Sequence, residues 1–337
     1  MIFNSKSISD QEYKLSAAKL IGENENTSGQ YSPHFDGGNS IALGYGLDLL
    51  VNSNDQIDRY FLQAKLPTLN SSQIKLLNEA RKQKDTLSSN DYSGICKELD
   101  IQLNQAQASD LLICMLAPYE ERLSNRLQES PFNITEKQLP KCNMRLALLD
   151  LVFNGGPGLI GKNLRSALAN AIKNPKKSAE YRGAAWTEIR YFSNGDRGSS
   201  VQKGIQNRRN KAADLFSLSD ESSTLAELKS THKYLQDRYL DIVNRDSTGL
   251  GYQKDIEASL ASLVTQISAL EAPSATLDSA PIESIDYQNI YTVQAGDTLT
   301  KIAEQLNTTM NDLLNMNPLI VNPDQISVGQ IINTSKA

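Results

Sequence analysis

The chain has 337 residues and a mass of 37.2 kDa, enough for two domains of ordinary size or for one large domain with an appendage. This length excludes a single small module, and the 39 acidic against 34 basic side chains argue against a generally basic nucleic-acid-binding protein. The charge is uneven, because residues 1–216 hold 27 basic and 23 acidic side chains whereas residues 217–287 hold 5 and 12.

Cysteine and histidine are too few for the common metal and disulfide frameworks. Cys96, Cys114 and Cys142 stand at irregular spacing, so we predict small buried side chains rather than disulfides or a zinc ribbon. His34 and His232 are the two histidines of the sequence, which argues against a histidine-rich metal site. We therefore expect no metal and no cofactor, and a chemistry carried by carboxylates, hydroxyls and amides.

The first ten residues lack the apolar stretch of a secretory signal, and no run of about 18 apolar residues occurs in the chain. We expect a protein synthesised in the cytoplasm without a signal peptide and without membrane insertion. If its target lies outside the membrane, another component must carry it there.

Residues 1–216 are predicted to be mostly helical, because apolar residues recur there at helical spacing. The segments with this spacing are Leu15–Ile21, Ile74–Arg81, Ser109–Leu123, Met144–Phe153 and Leu164–Ile172. The stretch from Tyr31 to Leu50 differs, since it is rich in Gly, Ser, Asn and Asp and alternates at Ile41, Leu43 and Tyr45. This pattern predicts a small β-hairpin with tight turns.

Acidic residues follow the first predicted helix at its end and in the hairpin. Glu23 and Glu25 come directly after the helix, and Asp36 and Asp48 lie in the hairpin. Glycoside hydrolysis uses two carboxyl groups in this way: one donates a proton to the leaving oxygen, and the other positions water or stabilises positive charge. Acidic residues in loops are also common as solvated side chains, so composition alone does not decide between these interpretations.

A helical hairpin is predicted after residue 216. Leu225, Leu228, His232, Leu235, Tyr239 and Ile242 step by three and four, and so do Ile256, Leu260, Leu263, Ile267 and Leu270. Thr224 and Glu227 have capping-box spacing ahead of the first helix. Residues 273–289 are rich in Pro, Ser and Ala without periodicity, which is typical of a linker.

The last residues, 290–337, predict a strand, two helices and a strand in fewer than 50 residues. Thr298 or Asp297 can cap the first of these helices. The unit is small and has no acid pair and no nucleophile beside a base, so it is expected to bind rather than to catalyse.

Several short motifs follow one another in residues 1–216. They are Leu20-Ile21-x-x-x-Glu25, Asp36 six residues before Ala42, Gly44-Tyr45-Gly46-Leu47-Asp48, the segment from Ala147 to Gly158, and Trp186 followed by Gly204 to Phe216. Together these motifs resemble those of phage-type lysozymes and of the pesticin branch of that superfamily. The resemblance implies a mainly helical muramidase fold with a small β-hairpin subdomain, cleaving peptidoglycan between N-acetylmuramic acid and N-acetylglucosamine.

The resemblance also assigns site residues. Glu25 matches the general acid better than Glu23, and the second carboxylate is either Asp48, which we favour from the pesticin pattern, or Asp36 from the phage pattern. The family threonine that helps to place the attacking water is replaced by Ala42, and Ser40 on the same strand face is a candidate substitute. Arg208 and Arg209 are predicted to be structural, closing the domain and pairing with acids.

Residues 290–334 resemble a LysM domain, a family that binds N-acetylglucosamine-containing glycans in a shallow groove. The resemblance places this groove between the Gly296-Asp297-Thr298-Leu299 loop and the loop around Asn322 and Ile326. Core packing is the alternative for Leu299 and Ile326, and backbone groups of both loops are expected to make most polar sugar contacts.

Together these observations predict a lysozyme-like domain (1–216), a helical hairpin (217–272), a linker (273–289) and a βααβ LysM domain (290–337). The leading hypothesis is a peptidoglycan hydrolase anchored to glycan strands, either a phage endolysin or an antibacterial effector. An immunity protein or a secretion-machine component is a candidate partner, with the acidic hairpin as its docking element. The alternatives are a non-catalytic wall-binding protein with a lysozyme fold and a lytic transglycosylase that needs mainly one glutamate.

Overall fold

A computed structural model of the chain describes residues 6–25, 29–36, 38–193, 199–246, 249–271, 290–294, 296–317, 320, 323, 326 and 331–334. The helices up to residue 173 are α1 (Asp10–Glu25), α2 (Asn54–Gln63), α3 (Ser71–Gln83), α4 (Ser89–Leu99), α5 (Gln105–Gln128), α6 (Asn143–Gly155) and α7 (Lys162–Lys173). They are followed by α8 (Ser178–Thr187), a π-helical turn (Glu188–Phe192), α9 (Ser199–Phe216), α10 (Leu225–Asn244) and α11 (Tyr252–Glu271). All segments with helical spacing in residues 1–216 lie within these helices, which confirms their prediction.

The predicted hairpin is a small antiparallel sheet of three strands, β1 (His34–Phe35), β2 (Ile41–Leu43) and β3 (Leu47–Asp48). Ala42 of β2 is opposite His34 on one side and opposite Asp48 on the other. Residues that are directly opposite share a face of the sheet, so these side chains lie on one face. The β2–β3 turn depends on Gly44 and Gly46, whose φ angles of 63° and 103° favour glycine.

Two hydrophobic clusters fill the first part of the molecule. One is formed by α1, α6 to α9 and the α10–α11 hairpin, and the other by β2, β3 and α2 to α4. Helix α5 contributes to both, with Leu112 and Leu116 in the first cluster and Leu111 and Met115 in the second. The long helix α5 therefore joins two lobes, one carrying the end of α1 and the other carrying the sheet.

The chain forms two compact units, residues 1–273 and 274–337. Helices α10 and α11 run antiparallel, with Lys229 near Glu271 and Tyr239 donating to Glu257, and the capping box of Thr224 and Glu227 is formed. The sequence predicted the hairpin as a separate segment, whereas in the structure α10 and α11 contribute to the hydrophobic core of residues 1–216. Leu270, placed on the seam by its spacing, is 52% exposed. The predicted linker lies outside the described residues.

The second unit contains β4 (Ile290–Thr292), α12 (Leu299–Gln305), α13 (Met310–Met316) and β5 (Ile331–Asn333), with β4 and β5 antiparallel. This is the strand, helix, helix, strand order that the sequence predicts. Thr298 caps α12 by accepting from the Lys301 amide. The core of the unit consists of Val293, Leu299, Ile302, Ala303, Leu313 and Ile332.

Candidate active site

Glu25 is the last residue of α1, and the end of this helix lies against the β2–β3 turn. A side-chain carbon at Gly22 would be 3.0 Å from the ring of Tyr45, so only glycine allows this close approach without displacing the ring. Glu25, the carboxylate favoured from the sequence, is thus one helical turn from the contact between α1 and the β2–β3 turn. Glu23 is exposed, and among the described residues its side chain makes no hydrogen bond.

Glu25 is held by an arginine from the far end of the chain. Arg208 of α9 donates Nη1 to Glu25 Oε1 and Nη2 to Asp150 Oδ1, the latter at 2.7 Å. Burial alone would lower the pKa of Arg208, but the carboxylates of Asp150 and Glu25 more than offset it and raise that pKa. The Arg208 guanidinium is therefore a fixed positive charge beside Glu25, whose side chain is still 28% exposed.

Asp150 is a component of this site to which sequence reasoning gave no function. It is fully buried on α6, where Arg208 Nε also donates to both of its oxygens at 3.1 Å. Asn24 Nδ2 donates to Asp150 at 3.4 Å, and Lys211 Nζ donates to Asn24 at 3.0 Å. One signal for Asp150 was present in the sequence, since it is an acidic residue inside the apolar run Ala147–Phe153. An acidic residue in such a run is expected to be buried, and a buried charge needs a partner. The pairing of Arg208 with acids agrees with its predicted structural function.

Asp48 is positioned by its own turn. Its Oδ1 atom accepts from the backbone amides of Leu50 and Val51 at 2.8 and 3.0 Å, and its carbonyl accepts from Asn52 Nδ2 at 2.8 Å. Among the described residues no hydrogen bond to its other carboxylate oxygen is formed. The half-buried carboxylate is therefore fixed through one oxygen and has the other available.

Arg81 of α3 braces the turn that holds Asp48. Its Nη2 donates to the carbonyls of Leu49 and Asn52, both at 2.8 Å, and its Nη1 donates to the side chains of Asn54 and Asn78 at 2.7 and 2.9 Å. Burial lowers the pKa of Arg81, and the charge of Asp48 opposes that change. Sequence reasoning missed Arg81, because its partners are 27 to 32 residues away except for Asn78 on its own helix.

Asp36 and Ser40 lie together in the β1–β2 turn, at the opposite end of β2 from Gly44. The Asp36 amide donates to the Ser40 carbonyl at 3.3 Å, Asp36 is exposed, and Ser40 is half-buried. In the part of the chain that the structure describes, neither side chain forms a hydrogen bond with Glu25. The arrangement thus brings Glu25 together with Arg208 and Asp150, and places Asp48 rather than Asp36 opposite Ala42.

Tyr119 of α5 is half-buried, and its ring packs against α6. Its ring centroid is 4.5 Å from that of Phe153, and the guanidinium carbon of Arg122 is 5.3 Å from the Tyr119 centroid. Burial raises the pKa of Tyr119; Arg122 opposes this rise, and Tyr60, Glu25 and Asp48 add to it.

In the second unit, the predicted glycan-binding residues lie around the start of α12. Gly296 has a φ of 90° and is exposed, and Asp297 Oδ2 accepts from Tyr291 Oη at 2.8 Å and from the Gln294 amide at 2.7 Å. Leu299 is 1% exposed and belongs to the core, and Ile326 packs against that core. Asn322 lies outside the described residues.

Comparison with known proteins identifies this second unit. The family model described as "LysM domain" matches residues 291–335. Residues 291–335 are a LysM domain. Such domains bind peptidoglycan glycan strands, and the LysM match supports binding to peptidoglycan or chitin.

Curated relatives match the LysM region. An endolysin of Bacillus phage PZA is 53% identical over 45 residues, which are 13% of this chain and 17% of that protein. The secreted LysM effector ECP6 of Passalora fulva is 52% identical over 42 residues, 12% of this chain and 18% of that protein. An endolysin of Bacillus phage B103 is 49% identical over 45 residues, with the same shares as the first. The chain thus spans about a sixth of the length of each relative.

No solved structure matches the chain. None of the described helices is both long and apolar enough to cross a membrane. Among the described residues no group of three or more His, Cys, Asp or Glu side chains is placed to hold a metal ion. The three cysteines are free; Cys142 is buried, and Cys96 and Cys114 are half-buried.

Proposed function

We propose that the protein is a peptidoglycan hydrolase, a muramidase that cleaves the bond between N-acetylmuramic acid and N-acetylglucosamine. The observation that carries the proposal is the placement of two fixed carboxylates on elements that touch: Glu25 ends α1, which lies against the β2–β3 turn, and Asp48 follows that turn. The LysM domain of the same chain supports binding to the same polymer. The resemblance of residues 1–216 to phage-type lysozymes supports it further.

In this proposal Glu25 donates a proton to the glycosidic oxygen as the bond to the anomeric carbon breaks. Asp48, fixed through Oδ1 by two amides, uses its other oxygen to accept a proton from the water that attacks that carbon. Arg208 then compensates the negative charge that remains on Glu25. The products are two shorter glycan strands, one with a new reducing end.

The LysM domain would hold the enzyme on its substrate. Joining a catalytic unit to a binding domain raises the effective concentration of the catalytic unit at the polymer. We propose action on the bacterial cell wall, either as a phage endolysin or as an effector delivered to the periplasm of a target cell. A neighbouring holin gene would support the first route, and a neighbouring immunity gene would support the second.

The test is digestion of purified sacculi by the full chain, with analysis of the released muropeptides. Wild type is expected to release new reducing ends, and Glu25→Gln is expected to lose at least about 100-fold of that activity, in the range of a lost general acid. Glu23→Gln is the matched control, because Glu23 is exposed and two residues away on the same helix. Absence of reducing ends with wild type, or equal release by Glu25→Gln, would contradict the proposal.

A second candidate is a wall-binding protein without catalysis. It is favoured by the ion pair that engages Glu25 and by Ala42, which places no hydroxyl opposite Asp48. It predicts that wild type pellets with sacculi and leaves their turbidity unchanged. A lytic transglycosylase would instead release 1,6-anhydro ends, which the same muropeptide analysis separates from reducing ends.

A further inference from the structure

A cavity begins at the turn that follows Asp48. It has a volume of about 480 Å³ and is lined by residues 51–55, Asn78 and Arg81. Sites for small molecules commonly have volumes of roughly 300–1,000 Å³. The amide of Val51 donates to Asp48 Oδ1 at 3.0 Å, and Asn52 Nδ2 donates to the Asp48 carbonyl at 2.8 Å. Two lining residues are therefore hydrogen-bonded directly to the candidate catalytic residue.

Arg81 fixes the direction of a donor in this cavity. Its Nη1 donates to Oδ1 of Asn54 and of Asn78, at 2.7 and 2.9 Å, and Asn54 Nδ2 donates to Asn78 Oδ1 at 3.1 Å. The amide oxygen of Asn78 thus accepts two hydrogen bonds, which hold its side chain in one orientation. Among the described residues Asn78 Nδ2 forms no hydrogen bond. The cavity therefore contains an oriented donor that the fold does not use.

Two acceptors lie in the same cavity. Asn52 uses its Nδ2 on the Asp48 carbonyl, and its Oδ1 accepts no hydrogen bond in the part of the chain that the structure describes. Asp55 is exposed, and its carboxylate forms neither a hydrogen bond nor an ion pair with another described residue. A hydroxyl group is both a donor and an acceptor, so it needs partners of each kind. The cavity offers both kinds to the hydroxyls of a sugar.

The charges of the cavity favour a neutral ligand. Asp55 is negative and Arg81 is positive, and both Nη atoms of Arg81 already bond neutral oxygens of the protein. An anionic ligand, such as the carboxylate of a stem peptide, would be repelled by Asp55 without gaining an Nη donor that is free. Val51 is 76% exposed and adds an apolar contact that suits the C–H face of a sugar ring.

We propose that this cavity is a subsite for an uncharged sugar ring of the glycan strand, on the Asp48 side of the cleaved bond. The inference rests on the proposed glycan cleavage and assigns part of the binding of the strand to residues outside the chemistry. Asn78 Nδ2 donates to an oxygen of the ring, and Asn52 Oδ1 and Asp55 accept from its hydroxyls. Arg81 supports both sites, because it orients Asn78 and braces the turn after Asp48.

The first test is NMR titration of the isotope-labelled full chain with tetra-N-acetylchitotetraose, an uncharged oligomer of N-acetylglucosamine. We expect the backbone amides of residues 51–55 and the side-chain amide of Asn78 to shift, in addition to amides of the LysM domain. Asn78→Asp keeps the oxygen that accepts from Arg81 and Asn54 but replaces the donor with an acceptor. It should abolish the shifts at residues 51–55 and leave those of the LysM domain.

Asn90→Asp is the matched control, because it makes the same substitution at an exposed residue of α4. It should keep both sets of shifts. Shifts confined to the LysM domain overturn the inference. A response of residues 51–55 to an isolated stem peptide instead of the sugar oligomer also overturns it.

Kinetics on long soluble glycan fragments give a second readout. For Asn78→Asp we expect KM to rise by about 3- to 10-fold, the effect of one lost hydrogen bond, and kcat to change less, because this bond is made in the ground state as well as in the transition state. The melting temperature should stay the same, since the bonds of Asn78 within the protein are retained. Asn90→Asp should keep the wild-type KM.

The two readouts separate this inference from the proposed function. An unchanged KM for Asn78→Asp, with wild type cleaving the fragments, overturns the subsite and leaves the hydrolase proposal standing. Shifts at residues 51–55 in a wild type that releases no reducing ends would overturn the hydrolase proposal and support a sugar site at this cavity.

Discussion

The two candidate carboxylates are held by different physical means. Glu25 is fixed by a guanidinium that is itself buried and shared with Asp150, whereas Asp48 is fixed by two backbone amides of the following turn. The two amides hold the carboxylate in place only if the turn that carries them keeps its shape. For Asp48, the turn is braced by Arg81, which bonds the carbonyls on both sides of those amides.

Replacing Arg81 with lysine is expected to loosen this turn, because an ammonium group cannot span four acceptors in one plane. We expect a loss of about 1–3 kcal/mol in the free energy of unfolding, measured with urea, and a reduced rate of glycan release from sacculi. Arg59→Lys is the control, since Arg59 is exposed and makes no hydrogen bond within the described residues. Equal effects of the two substitutions would show that Arg81 does not brace the turn.

The α10–α11 hairpin is integrated into the first unit by buried polar contacts. Arg190, in the π-helical turn, donates to both oxygens of Asp255 at 2.6 Å, and Tyr191 donates to the same carboxylate at 2.6 Å. Tyr252 donates to Gln206, which is two residues before Arg208 on α9. The hairpin thus supports the helix that carries the arginine of the candidate site.

Asp255→Asn is expected to weaken the contacts by which the α10–α11 hairpin supports α9. Breaking a largely buried ion pair is expected to cost about 2–3 kcal/mol in the free energy of unfolding at pH 7, with Asp255 24% and Arg190 8% exposed. Burial alone would raise the pKa of Asp255, but hydrogen bonds from Arg190 and Tyr191 lower it overall. The ionised carboxylate therefore contributes to the free energy of unfolding above about pH 4, and this contribution is lost as the pH falls below that value.

Urea unfolding from pH 7 to pH 3 checks this, since the difference between wild type and Asp255→Asn should shrink as the pH falls. Asp241→Asn is the control, because Asp241 forms an exposed pair with Arg238 and should cost less than about 0.5 kcal/mol. A difference that is constant over this range would show that the charge of Asp255 is not what stabilises the hairpin.

Across the whole molecule, the net charge of −5 is the sum of a basic segment, residues 1–216, and an acidic remainder. The acidic side chains after residue 216 are partly neutralised by buried arginines of the preceding helices, as in Asp220 with Arg182 and Asp255 with Arg190. This complementarity gives the acidic hairpin an internal function, while the LysM unit supplies the binding to polymer.

Asp297→Ala is expected to weaken binding to the polymer. Asp297 ties the Gly296–Thr298 loop to Tyr291 of β4, and without these bonds the loop loses its fixed shape. The fraction of full chain that pellets with sacculi should fall several-fold, whereas cleavage of short soluble fragments should keep its rate. Glu304→Ala on exposed α12 surface is the control. Unchanged pelleting of Asp297→Ala would show that this loop is not required for binding.

Hydrophobic periodicity and turn chemistry are local properties of the sequence. They were sufficient to predict the helices, the sheet with its glycine turn, the capping box at Thr224 and the LysM unit. The candidates Glu25 and Asp48 also came from short motifs. The structure places Asp48, rather than Asp36, opposite Ala42 and fixes it there. This placement depends on the strand register and on hydrogen bonds from two backbone amides, and the spacing of residues in the sequence specifies neither.

The sequence by itself therefore determined which elements form and which acidic residues to consider. Only the tertiary structure decided that Arg208 pairs with Glu25, 183 residues away, that Arg81 braces the turn after Asp48, and that the hairpin belongs to the first unit. The physical reason is that buried charges and buried donors need partners, and the partner is chosen by the packing of distant elements rather than by neighbours in the chain.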